Sequence, residues 1–181
     1  VPPRSQEEQQ QLDVSPYPGM QTFEEEDASR FFGREEEIDQ YLKALRNEHI
    51  LVLTGASGCG KSSLARAGII PRLKAKHHFL VKTVRPIDND LDSWLEQAEA
   101  ALKNGDELIK QFLSLEQPDQ SFLLFIDQFE ELFSVEPDDR SNFILSIKAK
   151  QLLSLLVKLK KQVPGFYLLI TLRAEFYPQL A

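Results

Sequence analysis

Ile50-Leu51-Val52-Leu53-Thr54-Gly55-Ala56-Ser57-Gly58-Cys59-Gly60-Lys61-Ser62-Ser63 is the stretch that decides the fold of this chain. Residues 50–54 are apolar or β-branched and predict a buried strand. The eight residues that follow, 55–62, match the pattern G-x-x-x-x-G-K-[ST], and a helix is predicted to begin at Lys61. A strand, a glycine-rich loop and a helix in direct succession predict a site for the phosphates of ATP or GTP.

Each part of this loop has a predicted physical role. Its glycines allow backbone dihedrals that a side chain would forbid, so that successive amide N–H groups point into one concavity. Lys61 supplies a full positive charge to the β- and γ-phosphates, and the Ser62 hydroxyl is a ligand for magnesium. The predicted nucleotide-binding residues of the loop are Gly55, Ala56, Ser57, Gly58, Cys59, Gly60, Lys61, Ser62 and Ser63.

A second apolar run, Phe122-Leu123-Leu124-Phe125-Ile126, ends in Asp127. A carboxylate at the tip of a buried strand beside the loop is the second anchor that a magnesium ion requires in such a site, in the form of a Walker B motif. The predicted metal ligands are therefore Ser62 and Asp127.

Two further carboxylates, Glu130 and Glu131, follow Asp127 closely, whereas the adjacent position is Gln128. In many enzymes with this loop, a carboxylate just beyond the magnesium-binding aspartate orients the attacking water. Either glutamate is a candidate for that catalytic role, and the sequence leaves the choice between them open.

The pattern around these motifs alternates strand with helix. Such alternation implies crossover connections and a parallel sheet covered on both faces, an α/β three-layer sandwich. Pro71 is expected to end or kink the helix that follows the loop. Predicted helices are 34–46, 61–70, 91–103, 107–115 and 142–160, and predicted strands are 50–54, 79–84, 122–126 and 166–172.

One strand, 79–84, lies between the loop strand and the Asp127 strand along the chain. This is similar to the division of P-loop enzymes that inserts a strand between these two strands and carries a catalytic glutamate. Strand 166–172 ends in Arg173, at the place where such folds put a polar sensor of the γ-phosphate, so Arg173 is a third catalytic candidate.

Charge and composition limit the classes of partner. The chain of 181 residues carries a net charge of −7, all of it within residues 1–48. This balance argues against direct binding of nucleic acid, which requires a basic surface. No apolar run is long enough to span a bilayer, and the single cysteine, Cys59, fits a reducing compartment, by default the cytoplasm. Residues 1–15 are rich in Glu and Gln and are expected to be a linker or tail before a domain at 16–181.

Four segments together resemble the STAND class of signal-transduction NTPases, and most closely the bacterial group called novel STAND NTPase 1, which often precedes WD-type propeller repeats. The segments are S-P-Y-P-G-M-Q-T-F-E-E-E-D-A-S-R-F-F-G-R-E-E-E-I (15–38), G-A-S-G-C-G-K-S-S-L-A-R-A-G-I-I-P-R-L (55–73), L-L-F-I-D-Q-F-E-E-L-F (123–133) and L-I-T-L-R-A-E-F-Y (169–177).

The resemblance implies more than the motifs do. It places Gly33 and Arg34 near the adenine and ribose and favours Glu130 as the second acidic residue. It also favours adenine as the base, so the expected ligand is ATP (or dATP, with GTP left open) together with Mg²⁺. It implies a slowly hydrolysing regulatory switch whose partners are downstream sensor and effector domains of the same polypeptide, with a homo-oligomer of the intact protein on activation.

The chain ends at Ala181, before the helical lid that members of the family use to clamp nucleotide. We therefore expect a sandwich truncated before this lid, with an open edge at the loop strand. Such a fragment is expected to be monomeric, and to bind nucleotide weakly and hydrolyse it slowly or not at all.

Two other functions use the same loop. A small-molecule kinase would require an acceptor pocket and a basic lid, and no arginine-rich segment is evident. An AAA+-like ATPase acting on DNA is disfavoured by the acidic balance. DNA-stimulated turnover would indicate the latter, and turnover that requires a small acceptor would indicate the kinase.

Overall fold

A four-stranded parallel sheet forms the centre of the protein. The computed structural model describes residues 22–76, 78–88, 90–117, 119–135 and 143–179. The strand order in this sheet is β1-β6-β3-β2, and a separate antiparallel pair joins β4 to β5. The strands are β1 (Ile50–Gly55), β2 (Phe79–Val84), β3 (Ser121–Ile126), β4 (Phe133–Val135), β5 (Phe143–Leu145) and β6 (Phe166–Arg173).

Helices connect the parallel strands, as crossover connections require. The α-helices are α1 (Glu35–Glu48), α2 (Lys61–Ser63), α3 (Ile70–Lys76), α4 (Asp90–Asn104), α5 (Asp106–Phe112) and α6 (Ile147–Gln162). A π-helical segment (Leu64–Ile69) joins α2 to α3, and 3₁₀ helices span Glu25–Arg30, Phe129–Leu132 and Ala174–Gln179.

The sheet has a hydrophobic core on each face, because successive side chains of a strand point to opposite sides. In β3, Leu123 and Phe125 pack into a core with α1 and the helical segments after the loop. Phe122, Leu124 and Ile126 pack into the other core, with α4, α5 and α6. All five side chains are buried, which accounts for the continuous apolar run. The predicted three-layer α/β sandwich with a parallel sheet is confirmed.

The strand that lies between the loop strand and the Asp127 strand in the sheet is not the one expected from the sequence. Strand 79–84 precedes β3 along the chain, but in the sheet β2 lies at the far edge, and β6 lies between β1 and β3. The register pairs Val52 with Ile170 and Phe125 with Leu169, so β6 contacts both neighbours along most of its length. Within the described residues β1 pairs only with β6, so it forms the expected open edge.

Pro71 does not end the helical stretch that begins at Lys61, which was one of the two outcomes expected for it. The backbone passes through the π-helical segment, where the Ile70 N–H donates to the carbonyl of Ala65, and continues as α3 to Lys76. Proline is tolerated in the first turn of a helix, where its missing N–H is not needed. Arg72 donates from its guanidinium to the Gly68 carbonyl (2.8 Å), which gives that oxygen a side-chain donor.

The helix predicted over 142–160 is shorter at its start. Residue 142 lies outside the described residues, and Leu145 belongs to β5, where it pairs with Phe133. The helix begins after Ser146, whose hydroxyl accepts a hydrogen bond from the Ala149 N–H (3.1 Å) and so acts as the N-cap. A search of the described helices finds none long and apolar enough to cross a membrane.

Candidate functional site

The glycine-rich loop leaves the carboxyl end of β1 with the backbone geometry that its sequence predicts. Gly58 and Gly60 have φ angles of +76° and +86°, a region that side chains disfavour. Gly55 lies close to the side chain of Cys59. A Cβ atom at position 55 would lie 2.7 Å from the Cys59 Sγ, so a larger residue would require that exposed side chain to move.

Lys61 is the first residue of α2, and its ammonium group lies over the loop. The Nζ atom donates to the carbonyl oxygens of Gly55 (3.0 Å) and Ala56 (2.8 Å). Cys59 is exposed, with its Sγ 3.9 Å from the same Nζ. The charge of Lys61 is therefore held at the mouth of the loop by polar contacts rather than inside the core.

Asp127 lies at the carboxyl end of β3, where it receives hydrogen bonds from two hydroxyl groups. Ser62 donates from its Oγ to the Asp127 Oδ1 at 2.7 Å. Thr171, one of two polar residues that are buried in the described part of the chain (the other is Asp127), donates to the same oxygen at 2.6 Å. Its Oγ1 also accepts a hydrogen bond from the Gln128 N–H at 2.8 Å. These contacts join the loop helix, β3 and β6 at one carboxylate.

The second oxygen of Asp127 is bound by an arginine that the sequence analysis did not select. Arg66 donates to the Asp127 Oδ2 at 3.1 Å, and through its other terminal nitrogen to Glu24 at 2.8 Å. The guanidinium also lies over the Phe125 ring, 5.9 Å from its centre. Burial lowers the pKa of Arg66, but the hydrogen bonds to Glu24 and Asp127 outweigh it and raise the pKa, so this side chain is a fixed positive charge.

The oxygens of Ser62 and Asp127 fit a magnesium ion. Neighbouring ligands of an octahedral Mg²⁺, each about 2.1 Å from the ion, lie about 2.9 Å apart, and the two oxygens here are 2.7 Å apart. Within the described residues no group of three or more His, Cys, Asp or Glu side chains could hold a metal ion. Hydroxyl and carboxylate oxygens are donors of the kind that Mg²⁺ takes from a protein, and the ion completes its shell with phosphate and water.

The two glutamates after Asp127 lie in different surroundings. Glu131 accepts hydrogen bonds from the Arg85 guanidinium (2.6 and 2.9 Å) and from the Ile87 N–H (3.1 Å). Glu130 contacts the other side of the site, where its carboxylate accepts a hydrogen bond from the Arg173 N–H and pairs with the Arg173 Nε, both at 3.3 Å. Glu131 thus links the end of β2 to the segment after β3, whereas Glu130 faces the end of β6.

A cavity of about 490 Å³ opens above the loop and collects most of the predicted residues. Glu130 and Arg173 line it together with Lys61 and Ser62. Its lining consists of Thr22, Phe23, Phe31, Arg34, Ser57, Gly58, Gly60, Lys61, Ser62, Ser63, Gln128, Glu130, Thr171 and Arg173. Arg34 pairs with Glu37 (2.6 Å), and the hydrogen bond between them lowers the pKa of Glu37. Gly33 is exposed, with φ +85°.

Three residues that the sequence analysis did not select complete the site: Thr171, Arg66 and Arg85. Thr171 had a signal, since it is the one hydroxyl in the apolar run Leu168-Leu169-Ile170-Thr171-Leu172. The sequence signal for Arg66 is weaker: it follows Ser62 by four residues, the spacing of neighbours on a helix face. No sequence signal indicates Arg85, because its partner Glu131 is 46 residues away.

The fold and the loop together define a P-loop NTPase domain: a parallel α/β sheet with β6 between the loop strand and the aspartate strand, and a glycine-rich turn leading into a helix at Lys61. A family model, Novel STAND NTPase 1, matches residues 16–181. The chain belongs to this family, as the resemblance of its motifs indicates, and membership implies a nucleotide ligand.

Comparisons with curated proteins and with solved structures give only low sequence identity or no match. No curated protein matches the chain. Among solved structures, the chain is similar to a component of the E. coli MS115-1 HORMA:CdnC:Trip13 complex (14% identity, TM-score 0.47, covering 88% of this chain and 64% of that one). It is also similar to C. elegans PCH-2 (15% identity, TM-score 0.42, covering 76% and 36%). The chain thus spans less than two thirds of the length of either protein.

Proposed function

We propose that this domain binds ATP with Mg²⁺ at the P-loop and acts as a slowly hydrolysing regulatory switch within a larger signalling protein. The observation that carries the proposal is the 2.7 Å contact between the hydroxyl of Ser62 and Asp127, since Ser62 and the adjacent Lys61 both line an open cavity. A site with one lysine, two magnesium-type oxygens and a nest of amide groups suits a nucleoside triphosphate better than any other common ligand.

The loop and its helix would bind the phosphates. The backbone N–H groups of residues 55–63 and the start of the helix offer partial positive charge, and Lys61 exchanges its present carbonyl partners for the β- and γ-phosphate oxygens. Ser62 and Asp127 would hold the magnesium ion, which neutralises charge on the phosphates. Thr171 keeps the Asp127 carboxylate in place through its hydrogen bond.

Hydrolysis requires a group that orients water near the γ-phosphate, and the surroundings of the two glutamates favour Glu130. Its carboxylate lines the cavity, whereas the Glu131 carboxylate is occupied by Arg85 and the Ile87 N–H. Arg173, 45% exposed and also on the cavity wall, is placed to contact the γ-phosphate. The 3.3 Å pair between Glu130 and Arg173 would have to loosen for both groups to act, which is consistent with slow turnover.

The base and sugar would lie toward the N-terminal side of the cavity. Phe31 and Arg34 line that side, next to Gly33. We propose adenine as the base on the resemblance of this segment to the family, so that ATP or dATP is the ligand, with GTP as the alternative. Loss of γ-phosphate contacts would then release the arrangement that they order, which is the logic of a nucleotide switch. Downstream sensor and effector domains of the same polypeptide, in the cytoplasm, would read that change.

Calorimetric titration with a non-hydrolysable ATP analogue and Mg²⁺ tests this function. Lys61→Ala should abolish binding while the free energy of unfolding stays close to that of the wild type, because the ammonium group makes its described polar contacts with the loop. Lys43→Ala, at an exposed position of α1, is the matched control and should bind normally. In the wild type, ligand at about 100 times its dissociation constant should stabilise the fold by about 2.7 kcal/mol. Equal affinity of Lys61→Ala and the wild type would refute the proposal.

A further inference from the structure

Two ion pairs that share Arg66 connect Glu24 to Asp127, the predicted magnesium ligand. Glu24 binds one terminal nitrogen of Arg66 at 2.8 Å, and Asp127 binds the other at 3.1 Å. The exposed fractions of the three side chains fall in this order, from 47% at Glu24 through 26% at Arg66 to 5% at Asp127. Arg66 therefore connects a carboxylate at the surface to one in the interior.

The segment that carries Glu24, residues 22–33, is fixed against the helical region after the loop at several points. The Phe23 N–H donates to the Ser63 Oγ at 3.1 Å, one residue from Ser62. Glu25 forms an ion pair with Lys74 of α3 at 2.7 Å. These contacts place the N-terminal segment directly beside the P-loop.

The charges of Glu24, Arg66 and Asp127 determine how strongly the site attracts a cation. Asp127 and Arg66 alone would sum to zero, and a neutral pair attracts a divalent ion weakly. Glu24 shares the guanidinium charge, so the three groups sum to −1 and part of the Asp127 charge remains available. An opposite charge within hydrogen-bonding distance acts strongly where one partner is buried, as Asp127 is.

We propose that Arg66 is a positioning residue for Asp127 and that Glu24, by sharing the charge of Arg66, raises the affinity of the nucleotide site for magnesium. The affinity of the site for the Mg²⁺-nucleotide is thereby coupled to the charge of Glu24. The inference rests on the proposed function, because it assigns Asp127 to the magnesium ion. It differs from that function in making affinity depend on a residue outside the loop and outside the cavity lining.

Titration of Mg²⁺ at a fixed concentration of a fluorescent ATP analogue, with the 181-residue chain, tests this coupling. Glu24→Gln keeps the size of the side chain and removes its charge. It should raise the Mg²⁺ concentration for half-maximal binding by roughly three- to fivefold, the range expected for a partly exposed ion pair. Glu25→Gln is the matched control, because it removes an ion pair of the same segment without changing the partners of Arg66. Its half-maximal Mg²⁺ concentration should equal that of the wild type.

A double-mutant cycle determines whether Glu24 acts through Arg66. In an Arg66→Gln background, Glu24→Gln should produce no further change in the Mg²⁺ dependence. If Arg66→Gln does not fold, Arg66→Lys serves instead, because its single ammonium cannot bind both carboxylates in the same fork geometry. The same cycle measured by urea unfolding without nucleotide or Mg²⁺ should show coupling between residues 24 and 66, which is a readout independent of the ligand.

The outcomes separate this inference from the proposed function. Absence of Mg²⁺-dependent binding in the wild type would refute both. Normal binding in the wild type with an unchanged Mg²⁺ dependence in Glu24→Gln would refute only the coupling. An equal increase in Glu25→Gln would also refute it, because the effect would then come from loosening the segment and not from the charge on Arg66.

Discussion

The hydroxyl of Thr171 offers the sharpest test of how the site is built. Its Oγ1 donates to Asp127 and accepts from the Gln128 N–H, at 2.6 and 2.8 Å, and the residue is 1% exposed. Thr171→Val preserves the shape of the side chain and removes both hydrogen bonds. The change therefore isolates the polar contribution of one buried oxygen.

The expected loss of stability in Thr171→Val follows from the two groups that lose their hydrogen bond, the Gln128 N–H and the Asp127 carboxylate. A buried N–H without an acceptor costs about 1–3 kcal/mol, and a carboxylate loses roughly a further 1 kcal/mol when it keeps its other donors. Asp127 retains Ser62 and Arg66, so we expect a loss of about 3 kcal/mol in the free energy of unfolding. For a domain of this size that corresponds to a fall of about 6–12 °C in Tm.

Urea denaturation, followed by circular dichroism and the fluorescence of Trp94, measures this loss. Thr54→Val, at an exposed position of β1, is the control and should change stability by less than about 0.5 kcal/mol. Thr171→Ser keeps the hydroxyl and should lose only about 1 kcal/mol, for the missing methyl group. A Thr171→Val variant as stable as the wild type would refute the assignment of Thr171 as the residue that holds Asp127 in place.

Two further predictions concern the acidic residues around the cavity. Glu130→Gln should leave binding of the ATP analogue intact and lower hydrolysis, whereas Glu131→Gln should retain hydrolysis and lose about 1 kcal/mol of stability because Arg85 loses a charged partner. Steady-state phosphate release and urea unfolding measure the two effects, and the opposite pattern would mean that Glu131 is the catalytic residue. The hydrogen bond from Arg34 lowers the pKa of Glu37. The free energy of unfolding that this bond contributes is therefore present at neutral pH, and it is lost as the pH falls below 4.5, the ordinary pKa of a glutamate. Glu37→Gln should therefore lose about 0.5 kcal/mol at neutral pH and nothing in acid below the lowered pKa, which unfolding at the two pH values would show.

The sequence alone was sufficient for those features that depend on neighbouring residues. The loop motif from Gly55 to Ser63 carries its own dihedral requirements, and the run ending in Asp127 is apolar on both sides because β3 is covered on both faces. The limits of the four strands of the parallel sheet and most helix limits were predicted to within a few residues for the same reason, whereas the short strands β4 and β5 were not predicted. Local errors arose where a proline lies in a first helical turn, at Pro71, and where a short strand precedes a helix, at Leu145.

Only the tertiary structure decided which strand lies between β1 and β3 and which side chains meet at Asp127. Strand order depends on how crossover connections place strands that are far apart in the chain, and β6 begins 40 residues after β3 ends, so periodicity carries no information about it. The same holds for Glu24, Arg66 and Thr171, whose contacts join residues more than 40 positions apart. Sequence patterns determine conformations that are set by near neighbours, whereas long-range hydrogen bonds and ion pairs arise only when the packed sheet brings distant groups within reach.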